Sequence, residues 1–112
     1  MSDEVKKYLA DILNSCLSIE EFTKDVISFS DYEKNKMLKR AVERELEIIG
    51  EALNKARKED SSINITNSSQ IIGLRNRIIH EYEAVNDETI YTIIKKYMPV
   101  LKNEAENLLK EE

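Results

Sequence analysis

AVERELEIIGEALNK, residues 41–55, is the stretch whose reading decides the fold. Its apolar residues Ala41, Val42, Leu46, Ile48, Ile49, Ala52 and Leu53 recur every three to four positions, with charged residues between them. That is the period of an amphipathic α-helix. The stripe extends back through Met37 and Leu38, and the box SDYE (Ser30 answered by Glu33) predicts its start, with an end near Arg57. Gly50 interrupts the stripe at a cost of about 1 kcal/mol relative to Ala. A glycine there predicts that another backbone passes close by.

Outward from this helix the chain keeps the same character. Ser2 predicts the start of a first helix carrying Val5, Tyr8, Leu9, Ile12, Leu13 and Cys16. SIEEF, with Ser18 and Glu21 as a second capping box, predicts a separate short helix bearing Phe22, Val26 and Ile27. Residues 58–66, KEDSSINIT, read as a loop. The segment IIGLRNRIIHEY, residues 71–82, reads as a helix capped around Asn67 or Ser68 and running to about Glu83. After a break at AVND a last helix starts near Glu88, and Pro99 is expected to kink or split it. Two glycines and one proline in 112 residues leave too few turn residues for hairpins. The expectation is an all-α chain forming one domain over residues 1–112.

Composition excludes several functions. One cysteine, Cys16, permits no internal disulfide, and one His with one Cys cannot supply a four-ligand zinc site. No apolar run reaches the ~20 residues of a membrane span, and the charged N-terminus has no apolar signal segment. A cytoplasmic location is expected, with no membrane partner. A net charge of −5 argues against nucleic-acid binding by bulk electrostatics. It leaves open an RNA site where cations are focused locally.

Residues 71–82 hold the only histidine. At about 100° per residue, Ile71, Leu74, Ile78, Ile79 and Tyr82 share one face with Arg75 at its centre. Asn76 and His80 lie together on its edge, and Arg77 points away. A cation therefore sits where burial is expected. One reading pairs Arg75 with Glu47 or Glu51 of the long helix as a structural ion pair. The other projects Arg75 and His80 into a cleft shared by two copies, since about 140° and ~7.5 Å of rise separate them on one helix. A metal-free His and Arg suit cleavage of RNA. His80 is a general acid or base near neutral pH, Arg75 a bidentate phosphate clamp, and the ribose 2′-hydroxyl the nucleophile. Asn76 can orient the imidazole or bond a phosphate oxygen. The competing possibility is a non-catalytic dimeric helical adaptor, or a nucleotide-binding module partnering a nucleotidyltransferase.

RNRIIHEY reads Arg-x4-His-x-Tyr with Asn directly after the Arg, and it resembles the motif of the HEPN superfamily. More narrowly it resembles the HepT-type toxins of HepT–MntA (type VII) toxin–antitoxin systems. AVERELEIIGEALNK is similar to that family's long-helix segment ending in Gly50, Glu51 and Ala52, and SIEEFTKD to its early helix. The resemblance spans about Lys7 to Val100. It departs from the family in the loop KEDSSINITNSSQ, polar where many relatives carry proline and tryptophan. The resemblance implies a HEPN-type bundle of about five helices that dimerises through the motif-bearing face. It implies a metal-independent endoribonuclease without a cofactor, with Arg75 and His80 as the catalytic pair and Asn76 supporting them. It also implies a nucleotidyltransferase antitoxin of the MntA kind as partner, transferring AMP onto Tyr82. AMP there would block RNA and set negative charge near Arg75.

Overall fold

A computed structural model describes residues 1–80 and 85–111. Among these the elements are α1 (Asp3–Phe22), α2 (Phe29–Glu33), α3 (Lys36–Glu59), α4 (Ser68–His80), α5 (Asp87–Thr92), a π-helical turn (Ile93–Tyr97) and α6 (Met98–Lys110). The last three run on without a break, so the described residues form five helical rods and no strand.

Ser2 starts α1 as expected, its hydroxyl accepting from the Val5 amide at 3.2 Å. The separate helix expected at Ser18 does not form, because α1 continues through it to Phe22. The stripe Val5, Leu9, Ile12, Cys16 and Ile19 is at most 1% exposed and crosses Ser18 in unbroken helical register. Burying one such side chain contributes about 1.5–3 kcal/mol, more than the ~1 kcal/mol of a typical N-cap. The helix stops one turn later, where the Thr23 hydroxyl donates to the Ile19 carbonyl at 2.7 Å.

The start expected at Ser30 is also displaced. Ser28 caps the short α2 by accepting from the Asp31 amide, and the Asp31 carboxylate accepts in turn from the Ile27 amide at 3.1 Å. That backbone bond is the main reason the Asp31 carboxyl is held below the ordinary range. α3 has its own cap, Asn35, whose side chain accepts from the Leu38 amide at 3.0 Å. A short polar residue with extended backbone can cap wherever the next residues turn helical, so several positions here offered the same signal.

Pro99 neither splits nor ends its rod. The Met98 amide donates to the Ile93 carbonyl five residues back, inserting one extra residue just before the proline. The wider turn accommodates a ring that would otherwise strike the preceding carbonyls.

α1, α3 and α6 enclose the core, with α1 packed along both of the others, while α4 rests chiefly on α3. The 60–67 connection is less polar in effect than its composition, since Ile63 and Ile65 are buried at its centre. Thr66 ties it to α6 through bonds to the Glu104 carboxylate. No helix among the described residues is long and apolar enough to cross a membrane.

Tyr32 is fully buried against the Tyr91 ring, which Phe29 meets edge-on, yet its hydroxyl has no hydrogen-bond partner. An unpaired buried hydroxyl costs about 1–3 kcal/mol. Tyr32→Phe keeps the ring packing and should stabilise the fold by about 1 kcal/mol, raising Tm by roughly 4 °C. Thermal unfolding checks this, and a lowered Tm would show that the hydroxyl is satisfied.

Candidate active site on the motif helix

α4 begins after Asn67, which adopts a left-handed backbone (φ 61°) and whose carbonyl accepts from the Ile71 amide at 3.0 Å. Asn tolerates that conformation better than most residues. The chain turns back through residues 60–67, so α4 runs antiparallel to α3 in a helical hairpin. Where the two cross, the close approach expected at Gly50 is realised. A Cβ built on Gly50 would overlap Arg75 Cβ and lie 2.9 Å from Arg75 Cγ and 3.3 Å from the Ile71 carbonyl oxygen. The missing side chain on α3 is the seat for the Arg75 stem on α4.

This explains how a cation occupies the inner face. The Arg75 stem packs on bare backbone while its head reaches outward, the usual compromise of a long charged side chain. Its Nη1 donates to Asn76 Oδ1 at 2.9 Å, and its buried Nε has no hydrogen-bond partner. The two carboxylates considered for an ion pair are engaged on their own helix, Glu47 with Arg44 at 2.9 Å and Glu51 with Lys55 at 3.1 Å. The Lys55 hydrogen bond and charge hold the Glu51 carboxyl low, and the charges of Arg75 and Arg44 add to that.

Asn76 thus engages the guanidinium, and no hydrogen bond links it to His80. His80 ends α4 as an exposed imidazole with no hydrogen-bond or ion-pair partner among the described residues. Arg75, Asn76 and His80 are brought to one end of one helix, but Arg75 and His80 do not touch. Tyr82 lies outside the described residues. α4 itself is poorly covered: Leu74 is its only buried residue, Ile71, Ile72 and Ile78 are half-buried, and Ile79 is 42% exposed. A cavity of about 450 Å³ lies between the other flank of α4 and the π turn. Ile71, Leu74, Ile93 and Met98 line it, and none of Arg75, Asn76 and His80 does.

No cluster of His, Cys, Asp or Glu that could hold a metal occurs among the described residues. The motif helix offers an exposed imidazole at its end and, a turn or more before it, a guanidinium bonded to Asn76. Such a pair can bind an anionic oxyanion and move a proton at a neighbouring atom.

Residues 12–108 match the family described as Ribonuclease HepT-like. A candidate RNase of Methanocaldococcus jannaschii is 39% identical over 105 residues, covering 92% of this chain and 94% of the relative. A candidate RNase of Caldanaerobacter subterraneus is 38% identical over 108 residues, 96% of each chain. The "Probable ribonuclease HepT" of Thermococcus cleftensis is 35% identical over 115 residues, covering 94% and 96%. Among solved structures, the tri-AMPylated HEPN toxin of Shewanella oneidensis, in complex with MNT antitoxin, superposes with a TM-score of 0.71 over the full length of both chains. At 18% identity that likeness shows the shared helical fold.

The two glycines give a paired prediction. Gly50→Ala drives a methyl into Arg75 and should destabilise by about 1–3 kcal/mol, despite the better helix propensity of alanine. Gly73 on α4 has open space where its Cβ would be, so Gly73→Ala should stabilise by up to about 1 kcal/mol. Denaturant unfolding of both variants checks the contrast, and equal effects would contradict the crossing.

Proposed function

Because the chain belongs to the HepT-like ribonuclease family, we propose that it is an endoribonuclease toxin acting in the cytoplasm, with Arg75 and His80 as its catalytic residues. The observation that carries this reading is the seating of Arg75 on Gly50, which turns a guanidinium outward at the end of the helix where His80 is exposed. Nothing in the reaction asks for a metal or cofactor. His80 takes the proton of the ribose 2′-hydroxyl, whose oxygen attacks the adjacent phosphorus. The bond from phosphorus to the 5′-oxygen breaks, and that oxygen leaves with a proton from a general acid. The products are a 2′,3′-cyclic phosphate and a 5′-hydroxyl end. Arg75 holds the phosphate and offsets the charge that grows on its oxygens, while Asn76 fixes the guanidinium plane.

One α4 separates Arg75 from His80, and its aliphatic face is largely uncovered. Two copies meeting through these faces would cover it and set the Arg75 of each protomer near the His80 of the other, with a water molecule as the acid that protonates the leaving oxygen. RNA is the substrate in this reading and a homodimer the working unit. The partner is a nucleotidyltransferase antitoxin of the MntA kind, as the MNT antitoxin is for the Shewanella toxin. It silences the enzyme by adding AMP to Tyr82, two residues beyond His80.

Two assays test this. In EDTA, purified protein should cleave RNA, and His80→Ala and Arg75→Ala should each lower the rate by about 10²-fold or more. Wild-type rates in either variant would remove that residue from the catalytic pair. With the cognate nucleotidyltransferase and ATP, mass spectrometry should find added AMP, and Tyr82→Phe should abolish it. Persistent AMP in that variant would place the acceptor elsewhere.

A further inference from the structure

The cations of this acidic chain are unevenly placed. Residues 34–44 hold five cations, Lys34, Lys36, Lys39, Arg40 and Arg44, against one carboxylate, Glu43, in a chain of net charge −5. The end of α2, the first turns of α3 and the start of α5 converge there around a cavity of about 250 Å³. Lys34, Lys36, Lys39 and Arg40 line it together with Glu33, Glu43 and Asp87. Two of the carboxylates hold cations in place: Asp87 meets Lys39 at 3.1 Å, and Glu43 meets Arg40 at 3.3 Å. Lys36 is exposed and has no ion pair or hydrogen bond from its side chain among the described residues.

The position of this cluster relative to Arg75 is fixed by α3. With Gly50 as the zero angle and about 100° per residue, Lys36 falls near 40°, Lys39 near −20° and Arg40 near 80°. All three lie on the side of α3 that receives Arg75. Lys39 is about 16 Å from Gly50 along α3, toward its N-terminus. α4 runs in the same direction from Arg75, so His80 has advanced about 7.5 Å toward the cluster. Along this face the cluster lies some 9 Å beyond His80.

We propose that Lys36, Lys39 and Arg40 form a phosphate subsite for the substrate RNA, binding a backbone phosphate a few nucleotides from the one that is cut. This rests on the ribonuclease reading above and adds where the strand lies. A single anion needs only one of the two sites. A polyanion with evenly repeated phosphates can occupy both; at the cluster four cations meet three carboxylates, and Lys36 is the one lining cation without an ion pair among the described residues. Asp87 pairs with Lys39 and Glu43 with Arg40, which leaves Lys36 as the donor for an incoming phosphate. Because the subsite touches no reacting atom, it acts on binding and positioning.

The test compares wild type with Lys36→Ala, Lys36→Ala/Arg40→Ala and the charge-keeping Lys36→Arg. Each is assayed on a dinucleotide, too short to span both sites, and on a longer oligoribonucleotide. For the longer RNA the double variant should raise KM about tenfold with kcat little changed, and lower the salt dependence of binding by about one to two in log–log slope. Lys36→Arg should behave as wild type, and dinucleotide cleavage should be the same in all four proteins. Equal KM and salt slope on the longer RNA, with wild type active, would overturn the subsite alone. Loss of dinucleotide cleavage in the double variant would also overturn it, since the cluster would then serve the reacting centre. A wild-type protein that cleaves neither RNA would overturn the ribonuclease reading and the subsite with it.

Discussion

Everything distinctive about this molecule depends on one contact, the Arg75 side chain lying on the bare backbone of Gly50. Any larger residue at position 50 would push α4 away from α3, and α4 has little else to rest on. The contact also solves an electrostatic problem. An arginine on the inner face of a helix would normally need a carboxylate beside it or pay heavily in desolvation. Here only the stem and Nε are inside, and the charged fork stays near water with Asn76 as its neighbour. The guanidinium is thus oriented by packing while its charge remains available to an outside anion.

The rest of the fold serves that crossing. α1 packs along both α3 and α6, and Leu9, Ile12, Ile49 and Leu53 are wholly buried in the core they form. The loop plugs Ile63 and Ile65 and the Thr66–Glu104 bonds fix where the chain turns back, and hence the height at which Arg75 meets Gly50. His80, by contrast, has no hydrogen-bond or ion-pair partner among the described residues. In the proposed mechanism that freedom suits a proton carrier whose partners arrive with the substrate and a second protomer.

Much of this was legible in the sequence, for reasons that differ by residue. The helical class, the long α3 and the close approach at Gly50 followed from period and from the cost of glycine in a helix. Arg75, Asn76 and His80 were singled out because helical phasing made Arg75 anomalous and the motif resembles that of a known family, and their catalytic role is what the proposal adds. The cap at Ser18 was overridden because capping is a local signal worth about 1 kcal/mol and the buried stripe of α1 outweighs it, while at Ser30 the neighbouring Ser28 and Asn35 offer the same signal. Pro99 was expected to kink or split its helix; the split does not occur, because a single inserted residue accommodates the ring, and no residue pattern announces a π turn. The pairing of Arg75 with Asn76, and of Glu47 and Glu51 with cations of their own helix, depends on rotamers that spacing does not encode. The Lys36, Lys39 and Arg40 cluster was present as a run of cations, but its alignment with Gly50 emerged only once α3 and α4 were seen to be antiparallel.

The central claim is that Arg75 and His80 work together across two copies of the chain. The most direct measurement mixes two disabled proteins: Arg75→Ala and His80→Ala protomers, separately tagged, co-expressed and purified through both tags. If the cleft is shared, the mixed dimer contains one Arg75 and one His80 facing each other, and it should cleave RNA measurably faster than either variant alone. If the mixed dimer forms and cleaves no faster than the single variants, the account of a shared site is contradicted.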